Sequence, residues 1–402
     1  MDSETNLQLL KLMKMKDKVR FGVIGCGVAA WMGHLTWIWE HPNAELVVVC
    51  DTDIERAIQA RQRYNARAVS TSYQDVLKRD DVDAVSICTP PAYHHEMAVA
   101  AAEHKKHVLL EKPMARNVQE CDDIIAAAEH NEIRLMLGHE KRFNFGLERI
   151  KQIIDNGTLG EVFYLVVHWG AAVKLAPDEL IPEGYRENYD WRWKDERVGG
   201  GIILDHLPHY VDLWRWWTGS EVETVSAEIQ NVTRDYLGNP EIGVWEDFGV
   251  VLMRFKNGTV GVFDTGTVGR SLSPILHIGS GLGEWSEFGY IHGTRGHLTF
   301  DLPPWDSPEH GRIMIWSLEN KHQSDRGWYQ VEMPEPTRAP GGPLSPSTNE
   351  QYMFRRQIDN FVQSIMNDTQ PLVGGRDGRA TLAVVEAAYE SHRTGQKLQI
   401  KP

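Results

Sequence analysis

Between Val19 and Gly138, short apolar runs alternate with helical patterns, and this alternation limits the fold more than any other feature of the chain. The runs are Val19–Ile24, Glu45–Cys50, Ala84–Cys88, Val108–Leu110 and Arg134–Gly138. They are nearly continuous in apolar and β-branched residues, as strands buried on both faces are. Between them lie helical stretches such as Ile54–Tyr64, Ser72–Arg79 and Glu96–Glu103. Strand, helix, strand in regular succession predicts a parallel, doubly wound sheet with right-handed crossovers.

The pattern changes after Phe143. A helix near Leu147–Asn156 ends at Asn156-Gly157, a helix-stop signal. Longer strand-like runs follow at Val162–Trp169, Glu223–Gln230, Phe248–Phe255, Thr259–Thr267, Ile275–Ile278, Leu298–Asp301, Ile313–Leu318 and Tyr329–Met333. Asn257-Gly258 between two of them is a hairpin signal. The second part is therefore expected to be α+β, with a large, mostly antiparallel, open sheet. Two helices, about Glu350–Asn367 and Ala380–Thr394, close the chain. A chain of 402 residues exceeds one ordinary core. We divide it into a lead-in (1–18), a first domain (19–141) and a second domain (142–402).

The net charge of −14 opposes a nucleic-acid or anionic-membrane partner, since either requires a basic surface. The four cysteines, Cys26, Cys50, Cys88 and Cys121, are scattered without metal-type spacing and suit a reducing compartment. The lead-in lacks the apolar core and cleavage site of a signal peptide, and no apolar run is long enough to span a bilayer. The expected location is cytoplasmic.

Three motifs carry chemistry. The first, Gly25-Cys26-Gly27-Val28-Ala29-Ala30, follows the first strand as GxGxxA. Gly25 permits a tight turn, Gly27 lets a pyrophosphate approach the backbone, and Ala30 lets helix pack on strand. This is the dinucleotide-binding, or Rossmann, fingerprint. Asp51 ends the second strand, where an acidic side chain holds the ribose 2′-hydroxyl of NAD and repels the 2′-phosphate of NADP. The same stretch, Asp51-Thr52-Asp53, also reads as a helix cap. The second motif is Glu111-Lys112-Pro113. It puts Lys112 at the carboxyl end of a buried strand, the edge where open α/β sheets bind ligands, although a solvated lysine also fits there. In the third, Gly199-Gly200-Gly201 leads into a helix carrying Asp205, His206, Pro208 and His209. Asp205 and His209 are one helical turn apart, so they share a face. That pairing suits an imidazole base beside a carboxylate as well as a solvated pair. Pro208 is expected to kink the helix.

Between Gly170 and Val198, Tyr185, Tyr189, Trp191 and Trp193 are interleaved with Arg186, Arg192 and Lys194. Aromatic faces stack on sugar rings, and the same residue types are enriched at subunit interfaces; both readings stand. Trp214, Trp216 and Trp217 read as core or interface, Asp212 as structural. Asp205, His206 and His209 could hold a metal, but we assign none.

Together the three motifs resemble the Gfo/Idh/MocA family of glucose–fructose oxidoreductase and inositol dehydrogenase. The resemblance extends to Thr89-Pro90 with His94, the Gly293-Thr294-x-Gly296 turn and the C-terminal helix. It implies an NAD(P)-dependent oxidoreductase for sugars and polyols, with NAD as cofactor. It implies catalytic roles for Lys112, Asp205 and His209. Cofactor contacts would come from Gly25, Gly27, Val28, Ala29, Ala30, Asp51, Thr89, Pro90, His94, Glu111 and Lys112. Substrate contacts would come from Lys112, Arg142, Tyr189, Trp191, Arg192, Asp205, His206 and His209. The expected reaction oxidises a ring hydroxyl of a sugar, glycoside or cyclic polyol, C3 of a glucoside among the options. A glycosidase working through transient C3 oxidation and a non-catalytic NAD-binding regulator are the alternatives. The expected partners are a carbohydrate and further copies of the chain, as dimer, tetramer or hexamer, because an open sheet leaves one face uncovered.

Overall fold

The computed structural model describes residues 18–171, 195, 198–235, 245–266, 285–302, 312–317, 327–332 and 349–401. Six strands form the first sheet: β1 (Val19–Ile24), β2 (Ala44–Cys50), β3 (Ala68–Ser70), β4 (Ala84–Ile87), β5 (His107–Leu110) and β6 (Leu135–Leu137). Their order is β3-β2-β1-β4-β5-β6, and every pairing is parallel. The order reverses between β1 and β4, which creates the crevice where such sheets bind ligands. The helices are α1 (Thr36–Glu40), α2 (Ile54–Tyr64), α3 (Tyr73–Leu77), α4 (His94–Glu103) and α5 (Val118–His130). Three of them start on side-chain caps, with Asp53 accepting from Glu55 N, Ser72 from Asp75 N and Asn117 from Glu120 N. The segment after the glycines winds as a wide π-helical turn over Ala30–Leu35 before α1 begins.

After α6 (Phe145–Asp155) the chain builds a nine-stranded sheet from β7 (Val162–Ala171), β8 (Val222–Gln230), β9 (Phe248–Phe255), β10 (Val260–Gly266), β11 (Trp285–Gly293), β12 (Gly296–Leu302), β13 (Arg312–Ser317), β14 (Trp328–Gln330) and β15 (Leu398–Gln399). The order is β14-β13-β12-β11-β7-β10-β9-β8-β15. Only the β10–β7 pairing is parallel among the described strands. Leu165, Val167, Val251, Met253 and Phe263 are buried under α7 (Ile202–Thr218), which contributes Tyr210, Trp214 and Trp217. Both tryptophans are core residues, as read from their spacing; Trp216 is only partly buried against that core.

The helix α7 continues through Pro208 from Ile202 to Thr218. Buried Leu207, Tyr210 and Val211 hold the turns on either side of the missing N–H. β11 was not read from sequence, because inward-facing Glu287 and two glycines break its apolar alternation. Glu287 is tolerated there because Lys141 Nζ donates to it at 2.6 Å and the Tyr210 hydroxyl also donates to it. Beyond the short α8 (Val232–Asp235), the C-terminal helices α9 (Asn349–Met366) and α10 (Gly375–Thr394), assigned to the second part, also return to the first sheet. Phe361 of α9 meets Phe21 of β1, and Gly374 bridges Met136 of β6. The run Ile275–Ile278 and the loop carrying Tyr185, Arg186, Tyr189, Trp191, Arg192, Trp193 and Lys194 lie outside the described residues. No helix among the described residues is long and apolar enough to cross a membrane.

A buried ion-pair cluster ties these parts together. Arg142, just after β6, donates to both oxygens of Asp212 on α7 at 2.6 Å and to Asp377 on α10 at 3.0 Å. Arg142 is 7% exposed and Asp212 1%. Removing one member leaves the other charge buried and unpaired. We therefore expect Asp212→Ala to destabilise the fold by about 3–5 kcal/mol, read as a lower urea midpoint. An unchanged midpoint would show that the cluster contributes nothing.

Candidate active site

The switch point is built from four segments. The first is the glycine loop after β1. Gly25 has φ +92°, and a Cβ there would sit 2.7 Å from the Cys88 carbonyl oxygen, so only glycine fits. A Cβ on Gly27 would meet nothing within 4 Å, so the loop backbone is open to close approach by a phosphate. Val28 is half-buried, Ala29 exposed and Ala30 buried. At the end of β2, Asp51 Oδ2 accepts from Cys26 N at 2.8 Å and Oδ1 from Asp53 N at 2.9 Å. Capping of α2 falls to Asp53, so Asp51 faces the loop. These features fit the adenosine and pyrophosphate of a dinucleotide.

The second segment is Thr89-Pro90 after β4, half-buried at the same edge. The third is Glu111-Lys112 after β5. Two residues expected to touch the cofactor lie beneath this edge instead. His94 is fully buried, its ring nitrogens meeting Thr89 O at 2.7 Å and Pro113 O at 2.9 Å. Glu111 is 9% exposed, with Oε1 2.8 Å from His34 Nε2 and Oε2 accepting from Lys112 N at 3.2 Å. Burial opposes ionisation of Glu111, but the hydrogen bond and charge of His34, with Lys112, hold its pKa below the ordinary carboxylate range. Both residues fix the strand ends rather than face the crevice.

The fourth segment is the first turns of α7. Lys112 Nζ donates to Asp205 Oδ1 at 2.6 Å and to Asp205 O at 3.0 Å. The Asp205 carboxylate is therefore directed at Lys112, where the helix spacing had suggested His209. His206 stacks on Trp169 of β7 at 3.6 Å between ring centroids, and its Nε2 lies 3.5 Å from Asp205 Oδ2. His209 is buried, with Nδ1 3.6 Å from Glu140 Oε1. Burial, then the charges of Lys112, Lys141, His206 and His139, hold its pKa well below the ordinary imidazole value. His209 is thus a neutral imidazole at physiological pH. Arg142, expected at the substrate, has its donors on Asp212 and Asp377.

Sequence reasoning missed Glu140, Lys141, Trp169 and Glu287. The run Glu140-Lys141-Arg142, of which only Arg142 was read as a site residue, follows β6 directly at the ligand edge, and that position is the signal that could have found the other two. All three are buried.

The model of an oxidoreductase family with an NAD-binding Rossmann fold, GFO_IDH_MocA, matches residues 19–139, and that of the GFO/IDH/MocA C-terminal domain matches residues 147–299. The chain belongs to the Gfo/Idh/MocA family. Myo-inositol 2-dehydrogenase of Thermotoga maritima is 30% identical over 380 residues, 93% of this chain and 96% of that protein. The dTDP-3,4-didehydro-2,6-dideoxy-alpha-D-glucose 3-reductase of Saccharopolyspora spinosa is 29% identical over 95% of this chain and 99% of the relative. A solved structure of levoglucosan dehydrogenase in complex with NADH and levoglucosan has the same fold, with TM-score 0.79 at 20% identity over 96% of this chain and 100% of that one. This Gfo/Idh/MocA member is an NAD(P)-dependent oxidoreductase whose first sheet is its NAD-binding Rossmann fold.

Replacing Asp51 with Ser removes a charged acceptor for the ribose hydroxyl. We expect NADH to bind about tenfold more weakly and the gap between NADH and NADPH to narrow in fluorescence titrations. An unchanged ratio of the two affinities would show that Asp51 does not face the ribose.

Proposed function

We propose that this chain oxidises a ring secondary hydroxyl of a sugar, glycoside or cyclic polyol to the ketone, with NAD as the acceptor. The observation that carries this is the contact of Lys112 with Asp205, which joins the ligand edge of the first sheet to the helix that bears His209. Two relatives that align along nearly the whole chain are named for inositol and for a sugar derivative. One is a reductase named for a sugar C3, which makes C3 of a glucoside the first position to assay.

Gly25, Gly27, Val28, Ala29 and Asp51 would hold the adenosine and pyrophosphate end, and Thr89, Pro90 and Lys112 the nicotinamide end. Bound NAD supplies the hydride acceptor. Lys112, a cation oriented by Asp205, holds the alcohol oxygen and stabilises its developing negative charge. His209, neutral as described above, accepts the hydroxyl proton. His206 on the Trp169 ring walls the same crevice.

The outer face of the second sheet supports the homo-oligomer expected from sequence. Leu252, Val262, Val166 and Tyr290 form one cross-strand row on the side away from α7. Leu252 is 47% exposed. We infer that a second copy covers this row.

The test is a screen of inositols, monosaccharides and aryl glycosides with NAD, using the wild type, Lys112→Ala and His209→Ala. We expect stoichiometric NADH from the wild type and kcat reduced at least about 100-fold in each variant. Full turnover by both variants would overturn the assignment. Product without NADH would favour the glycosidase that oxidises transiently at C3.

A further inference from the structure

Every carboxylate near His209 except one already serves another group. Asp205 lies on Lys112, Asp212 on Arg142, Glu287 on Lys141 and Tyr210, and Glu111 on His34. Glu140 alone, among the described residues, comes within 4 Å of the His209 ring as an acidic group, with its Oε1 3.6 Å from Nδ1. That nitrogen is buried and has no hydrogen-bond partner. Glu140 is itself 8% exposed and sits in the tight turn Glu140–Phe143 that follows β6.

We propose that Glu140 is the positioning carboxylate of His209, fixing its tautomer and balancing the charge it acquires. The inference rests on His209 being the proton acceptor. With Nδ1–H pointed at Glu140, Nε2 is left as the lone-pair side for substrate. The substrate O–H bond breaks and its proton passes to Nε2. The hydride leaves the carbinol carbon for NAD, and the carbon–oxygen bond becomes the carbonyl. The ring then carries a positive charge, and Nδ1–H donates to the Glu140 carboxylate. Hydrogen bonds of this kind are often long without substrate and tighten in the reactive complex.

The need for such a partner is plain from the surroundings. Lys112 from the β5 edge, Lys141 and His139 from the β6 turn, and His206 from α7 all oppose an imidazolium at residue 209. Glu140 faces Lys112, Glu111 and Lys141 in turn, and burial raises its pKa to about 7. Glu140 is thus the group that titrates near neutral pH, and its carboxylate form is the one that can receive Nδ1–H.

Glu140→Gln keeps the side-chain shape and removes the charge, and Glu140→Asp keeps the charge at shorter reach. Two measurements on the full-length protein decide the matter. In histidine-labelled protein, NMR titration follows the His209 ring without any substrate. We expect Glu140→Gln to lower the pKa of His209 by at least about one unit, a tenfold harder protonation, with Glu140→Asp between the two. In turnover assays, the wild-type kcat should rise from pH 6 to 8. Glu140→Gln should lower the plateau at least about tenfold and flatten that rise, with NADH affinity and KM for the substrate unchanged. Equal His209 titration in wild type and Glu140→Gln, or a retained pH profile in Glu140→Gln, would overturn the proposal. If the wild type turned over no carbohydrate while the NMR shift was present, the pairing would stand and the dehydrogenase reading would fail.

Discussion

The contact between the Lys112 ammonium and Asp205, 2.6 Å to the carboxylate and 3.0 Å to the backbone oxygen, is the interaction on which the site depends. It joins two segments that different parts of the fold deliver. Lys112 arrives at the end of a buried parallel strand, Asp205 in the first turn of the helix beneath the second sheet. Such a pair contributes little net stability, since taking two charges from water costs about as much as their attraction returns. Its value is positional. Lys112 is held from below as well, because Glu111 accepts from its N–H and is itself fixed by His34. His94 reaches Pro113 O and Thr89 O, so the strand ends after β4 and β5 move as one piece. Three buried side chains and the half-buried Asp205 thus place one ammonium.

The environment then divides the ionisable groups into different roles. Burial, and then the surrounding cations, keep His209 uncharged, while burial pushes Glu140 up to about 7. Glu111, equally buried, is kept ionised by His34. One buried carboxylate is thus held ionised while another is left to titrate near neutral pH beside an imidazole kept neutral. Of the four cysteines, Cys88 bears on these groups through His34. All four are free and buried, and burial raises the pKa of Cys26, Cys50 and Cys121 above the ordinary thiol value.

Most of the fold was legible because its strands state their surroundings. Val19–Ile24 and Phe248–Phe255 match the observed strands residue for residue, one as a continuous apolar run in a parallel sheet, the other as an alternating run in an antiparallel one. β11 was illegible because a charged residue points inward, and its partners Lys141 and Tyr210 lie far away in sequence. The helix start at Asp205 was legible, but the direction of its carboxylate was not, because spacing within a helix says nothing of a lysine on another element. Arg142 looked like a ligand residue when read alone. Its partners Asp212 and Asp377 come from two other helices, and its remaining nitrogen donates to Leu372 O. Glu140 was hidden for a related reason, since the histidine it approaches lies on α7, far away in sequence.

The central claim is that Lys112 and His209 converge on one substrate hydroxyl. The most direct measurement is a crystal structure with NADH and a carbohydrate drawn from the turnover screen. The account predicts one ligand oxygen within about 3 Å of both Lys112 Nζ and His209 Nε2. A ligand whose hydroxyls reach neither atom would contradict it.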